Sequence, residues 1–175
     1  MEKSKHAKTE ITDVSLVDLL MVCQQIPQDE IEQIEAFTGN KYDPEQLAVT
    51  TYSSDGIKWT CRLIETGEPI VVAGFFQVGV STWRSFMLAT ERAWAEFGAE
   101  VTQHCKEVVD KVAESEEFIR IETICLETRA RATAWYPSIG LKFESVLRSY
   151  GVNGEDAVMY VRVNQPSLIE TIVKE

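Results

Sequence analysis

The side chains from which a reaction could be built are few in this 175-residue chain: four cysteines, two histidines and a scatter of carboxylates. The cysteines stand at 23, 61, 105 and 125, so no close pair supplies zinc ligands or a redox dithiol, and the spacing gives no reason to expect disulfides. His6 and His104 are too few for a histidine metal centre and are expected at the surface. Asp29, Glu30, Glu32 and Glu35 crowd one helical stretch, where a solvated face that offsets the helix dipole accounts for them better than a metal cage. One carboxylate stands apart. Glu122 sits alone among Ile121, Thr123 and Ile124 on an apolar strand, either as a general base in a cleft or as an outward-facing charge. The series Trp59, Phe75, Phe76, Trp83, Phe86, Trp94 and Phe97 lines a pocket, anchors an interface or fills the core, and core packing is the default for aromatics. Gly-x-Ser-x-Gly elbows, nucleotide P-loops, Rossmann fingerprints and EF-hand loops do not occur, and no serine or cysteine can be paired with a histidine base.

The elements that must carry these residues belong to a single domain of ordinary composition, 45% hydrophobic and 26% charged. A net charge of −11 disfavours binding to phosphate backbones or anionic membranes, so no direct nucleic-acid partner is expected. The longest apolar runs, such as 69–76, fall far short of the roughly 20 residues of a membrane helix. The first residues are basic with no apolar stretch behind them, unlike a secretory signal, which implies a protein that stays in the cytoplasm or is packed into an assembly there.

Residues 1–10 read as a flexible N-terminus. Ile11 to Val14 reads as a short strand, and Asp13 or Ser15 can cap a helix carrying Leu16, Leu19, Leu20 and Cys23. Pro27 opens a second helix that ends at Gly39, and Asp43-Pro44-Glu45 opens a third. From Ile57 the period changes to two, predicting a meander of three strands at 57–64, 70–78 and 82–89. Trp94, Phe97, Val101, Cys105, Val108 and Val112 then mark a long amphipathic helix. A strand around Ile121, a short helix over 128–138 and a hairpin of 143–150 with 157–163 complete the order. A mixed, mostly antiparallel sheet flanked by helices follows, as one domain over 11–163 with a tail of 164–175 that packs loosely or as a short helix.

This order resembles the GNAT (GCN5-related N-acetyltransferase) acyltransferase fold. The best local agreement is the run from Ala132 to Leu141, against a family segment of the form Asn-x-x-Ala-x-x-x-Tyr-x-x-x-Gly-Phe. Ala132, Tyr136 and Gly140 match, Leu141 replaces the Phe, and Arg129 stands where the Asn would be. From Pro27 onward the chain is also similar to a group of GNAT-like proteins of short-tailed bacteriophages, some of them virion-associated. The shared traits are Asp29-Glu30-Ile31-Glu32, the turn Gly67-Glu68-Pro69-Ile70 running to Gly74, and the ending from Trp135 to Leu141.

The resemblance implies acetyl-CoA as donor and Tyr136 as the acid of an acyl transfer, for which Glu122 is the candidate base; a tyrosine at 136 equally fills the seam between the last helix and the sheet. It also implies a pyrophosphate loop, Arg/Gln-x-x-Gly-x-Gly/Ala, at a helix N-terminus. The matching junction, Leu88 to Glu96, contains no glycine and places Glu91 where phosphate would sit. Thr90, Arg92 and Arg129 are the remaining cofactor-facing residues, with Arg92 the attractive one. The expectation is therefore a catalytically degenerate GNAT-like protein with no cofactor, acting by contact with phage or host proteins through an exposed aromatic-rich surface. Two alternatives stand beside it: an N-acyltransferase with a modified site that uses acetyl-CoA, and an acidic decoy occupying a nucleic-acid-binding host protein.

Overall fold

A computed structural model of the chain describes residues 7–115 and 118–164. The expected order holds element by element: β1 (Thr9–Asp13), α1 (Leu16–Cys23), α2 (Gln28–Thr38), α3 (Pro44–Ser53), β2 (Ile57–Leu63), β3 (Pro69–Gly79), β4 (Thr82–Ala89), α4 (Glu91–Ala113), β5 (Arg120–Leu126), α5 (Ala130–Trp135), β6 (Lys142–Leu147) and β7 (Ala157–Val163). A 3₁₀ turn over Tyr136–Ile139 extends α5 toward β6. The first strand begins at Thr9, two residues earlier than expected, because Thr9–Asp13 pairs antiparallel with Asp13↔Trp59 through Thr9↔Leu63. His6 and the tail from 165 lie outside the described residues.

The seven strands form one sheet in the order β1-β2-β3-β4-β5-β7-β6. All neighbours are antiparallel except β4 and β5, which run parallel and pair over three residues only, Thr82↔Arg120, Trp83↔Ile121 and Arg84↔Glu122. Beyond Arg84 the two strands part. The sheet is thus two antiparallel halves joined at a short root.

Each face of the sheet buries its own cluster. On one side, Leu19, Val22 and Cys23 of α1 and Ala48 of α3 pack on Val72 and Leu88. Each fully buried aliphatic of this kind contributes about 1.5–3 kcal/mol. On the other side, α4 lays Phe97, Val101, Cys105 and Val109 against Val71, Ala73, Phe75 and Ile121. Its buried stripe steps from Cys105 to Val109, leaving the expected Val108 and Val112 only partly covered. The register of β2 on β3 brings the strands so close at Gly74 that a Cβ there would lie 2.3 Å from the Ile57 carbonyl oxygen and 2.7 Å from the Phe86 ring. No larger residue fits that position.

Local chemistry fixes the ends of the helices. Ser15, rather than Asp13, caps α1: its hydroxyl accepts from the Asp18 amide at 3.2 Å and the Asp18 carboxylate accepts from the Ser15 amide at 3.0 Å. Asp43 caps α3 in the same sense, and Gly39 closes α2 in the left-handed region at φ 70°. His104 is half-buried rather than on the surface, its Nε2 lying 3.0 Å from the Thr9 hydroxyl, which itself donates to Glu100 at 2.8 Å. This staple holds β1 to α4.

All four cysteines are buried and unpaired. Burial pushes the thiols of Cys23 and Cys105 up to about 12 and that of Cys61 up to about 11, and raises Cys125 too. The thiolate is the reactive form, so the folded protein is expected to be inert to an aromatic disulfide reagent at pH 8 and to release four equivalents in denaturant. A thiol that reacts within seconds in the native protein would contradict this packing.

Candidate functional site

The parting of β4 and β5 opens a cavity of about 600 Å³ that runs between the two halves of the sheet. Its wall includes Phe86 and Leu88, which point toward α1 and α3, and Met87 and Ala89, which point toward α4, so it reaches both faces. The α4 side is closed by Trp94, Trp135 and Tyr136. Trp94 and Trp135 meet edge to face at 5.2 Å, and the Trp135 indole N–H donates to the Thr102 hydroxyl at 2.8 Å. The opposite mouth is crossed by α2, whose Asp29, Glu30 and Gln33 reach the second half of the sheet.

Tyr136 is placed at this cavity, with its ring between Trp135 and Tyr160 at 5.8 and 5.1 Å. Its hydroxyl interacts with Thr123 and Cys125, and burial pushes the phenol far above its ordinary value. It stays protonated across the physiological range, as a proton donor must.

Glu122 is elsewhere. It is 6% exposed and lies at the root where the halves join, not on the cavity wall. Arg84 donates to its Oε1 through Nε at 3.0 Å and Nη2 at 2.6 Å, and Arg120 donates to Oε2 at 3.1 Å. The carboxylate is not outward-facing, and two guanidiniums already donate three hydrogen bonds to it. Its partners were missed because they come from a neighbouring strand and from two residues upstream, and only the register brings them together.

The three cofactor-facing residues are separated. Thr90 is 2% exposed and caps α4 by accepting from the Ala93 amide at 3.1 Å, while its own amide donates to the Ile70 carbonyl at 3.0 Å. Arg92 turns outward and pairs with Glu68 at 2.6 Å and with Glu96 at 3.2 Å. Arg129 lines the cavity, but it is buried against Asp29 at 3.0 Å and Glu30 at 2.5 Å. Gln33, whose side-chain oxygen accepts from the Leu126 amide at 3.0 Å, joins the same bridge and carried no sequence signal. Of the acidic stretch, Glu30 is thus a buried partner of an arginine, while Asp29 pairs with the same arginine from a side chain that stays 47% exposed. Among the described residues no cluster could hold a metal ion.

Of the aromatic series, Trp59, Phe75, Phe76, Phe86 and Trp94 line the cavity, and Trp83 stacks on Phe118 at 4.5 Å. Phe97 lies in the core beneath α4. Only Tyr52 of α3, Phe143 of β6 and Tyr150 in the β6–β7 loop are exposed among the described aromatics. The expected aromatic-rich surface is absent because the rings pack into the two halves and the cleft between them.

A seven-stranded mixed sheet flanked by five helices, with its one parallel pair splayed, is the GNAT fold. The solved structures it matches include a GNAT-family acetyltransferase from Bacillus anthracis, at TM-score 0.70 and 12% identity over 91% of this chain and 97% of that one. The microcin C7 self-immunity acetyltransferase MccE, solved with acetyl-CoA and AMP, matches at TM-score 0.67 and 14% identity over 90% and 93%. An aminoglycoside acetyltransferase solved with coenzyme A matches at TM-score 0.64 and 16% identity over 90% and 95%. No family model matches the sequence, and no curated protein matches it.

Proposed function

We propose that this chain is a bacteriophage GNAT-fold protein that has lost efficient acetyl-CoA catalysis and acts by contact with other proteins, as a virion-associated or host-interacting component. The observation that carries the loss is the junction between β4 and α4. A pyrophosphate needs several free backbone N–H groups and glycines that let it approach. Here one residue separates strand from helix, the Thr90 hydroxyl takes the Ala93 amide, Glu91 occupies the first turn, and Arg92 is held by two carboxylates. These residues do not fit the phosphates of coenzyme A.

The contact reading draws on the resemblance to the phage group and on the net charge of −11, which steers the chain toward basic partners. The contacting residues would be aliphatic rather than aromatic. Val80, 94% exposed at the tip of the β3–β4 hairpin, and Val17, 62% exposed on α1, are the most open large apolar side chains. Among the described residues no helix is long and apolar enough to cross a membrane.

A second reading, an N-acyltransferase with a modified cofactor site, is favoured by one observation, the protonated Tyr136 phenol at the cavity wall. Isothermal titration with acetyl-CoA separates the two. The expected result is no saturable heat below about 1 mM, an affinity weaker than roughly −4 kcal/mol. A micromolar dissociation constant would overturn the proposal in favour of the enzyme. Co-purification with assembled particles or with a host protein tests the contact half.

A further inference from the structure

We propose that the cavity between β4 and β5 is a binding site for an uncharged, phosphate-free, apolar or aromatic small molecule, an inference that rests on the loss of the phosphate grip argued above. The volume of about 600 Å³ falls within the range of small-molecule sites. The wall supplies wide apolar surface from Trp59, Phe75, Phe86, Met87, Trp94 and Trp135.

The charges around the cavity decide what kind of molecule that surface accepts. Arg129 is closed by Asp29 and Glu30, a group that carries one net negative charge. Asp55 and Arg131, both on the wall and both exposed to solvent, offset one another in charge. Among the described residues every buried side-chain nitrogen and oxygen already has a hydrogen-bond partner. A ligand charge brought into the buried part of the cavity would therefore lose its water and gain no free counter-charge from a buried group, which costs several kcal/mol. An anion meets net repulsion as well. A neutral ligand pays neither cost and gains the transfer of its apolar surface from water, roughly 25 cal/mol per Å².

Two fluorescent probes with the same ring system test this: neutral N-phenyl-1-naphthylamine and the anionic 1-anilinonaphthalene-8-sulfonate. The neutral probe is expected to bind at least about ten-fold more tightly, a difference of about 1.4 kcal/mol. It should also quench tryptophan emission, since three of the four tryptophans line the cavity. Ala132→Leu, which adds bulk to the wall from α5, should weaken the neutral probe about ten-fold at an unchanged melting temperature. Equal or tighter binding of the anionic probe, no binding of either, or a folded Ala132→Leu protein that binds as before would each overturn the inference.

Parallel titrations with pantetheine and coenzyme A keep the two proposals apart. Coenzyme A binding more than ten-fold tighter than pantetheine would reveal a phosphate grip and sink the proposed function. Failure of the neutral probe, with coenzyme A also unbound, removes the present inference alone.

Discussion

Arg129→Ala is expected to destabilise the protein by about 3–5 kcal/mol at pH 8, the usual cost of removing one member of a buried ion pair. Arg129 and Glu30 are each only 12% exposed at the side chain, so water cannot replace the lost partner. Burial already raises Glu30 above the ordinary glutamate value, against the pull of Arg129, and removing the guanidinium raises it further. A carboxyl with a raised native value binds more protons folded than unfolded, so its unfavourable contribution grows as pH rises from the unfolded value through the folded one. The loss should accordingly be smaller near pH 5 than at pH 8. Urea unfolding at the two pH values checks this, and an equal loss at both would mean that Glu30 is not the orphaned group.

Asp18→Ala is expected to cost a comparable 3–5 kcal/mol. This carboxylate, 1% exposed, closes the capping box of α1, accepts from the Thr60 hydroxyl at 3.0 Å and pairs with Arg62. Its removal leaves the buried Thr60 hydroxyl without its acceptor, takes the carboxylate from Arg62, which keeps only the neutral acceptors Thr12 and Gly67, and strips the helix of half its cap. Asp18→Asn keeps the shape and one acceptor and should recover part of the loss. Denaturant midpoints of the two variants decide the point; equal midpoints for Asp18→Ala and the unaltered protein would remove this network from the account of the fold.

The order of elements was legible in the sequence because period and punctuation agree along the chain. The alternation from Ile57, the stops at Gly39 and Gly67, and the steps from Trp94 as far as Cys105 survive into the structure, while beyond Cys105 the buried stripe moves to Val109. What could not be read is what the strands do to one another. Parallel pairing confined to three residues is a property of register, and it alone turns a continuous sheet into a cleft. The same blindness hid the role of the acidic stretch, since Asp29 meets Arg129 a hundred residues later in the chain. Tyr136, singled out through the family segment, lies on the cavity wall, whereas its contacts with Thr123 and Cys125 come from β5 packing behind it and were not legible. The arginine partners of Glu122 were not legible, because one charge in an apolar strand has the same pattern whether it faces a substrate or two arginines.

The capped junction at Thr90 also sets how far this chain stands from its catalytic neighbours in mutational terms. In it, the amide of the single linking residue is tied to β3 and its hydroxyl to the helix. Thr90→Gly would remove the cap and add conformational freedom, yet the linker would still be one residue long. Glu91 and Arg92 are already inside the helix, so glycine there would weaken α4 without lengthening the approach to it. On the proposed loss of the cofactor, a glycine-bearing phosphate loop at this junction would need inserted residues or an unwound first turn, and point substitution alone would not supply it.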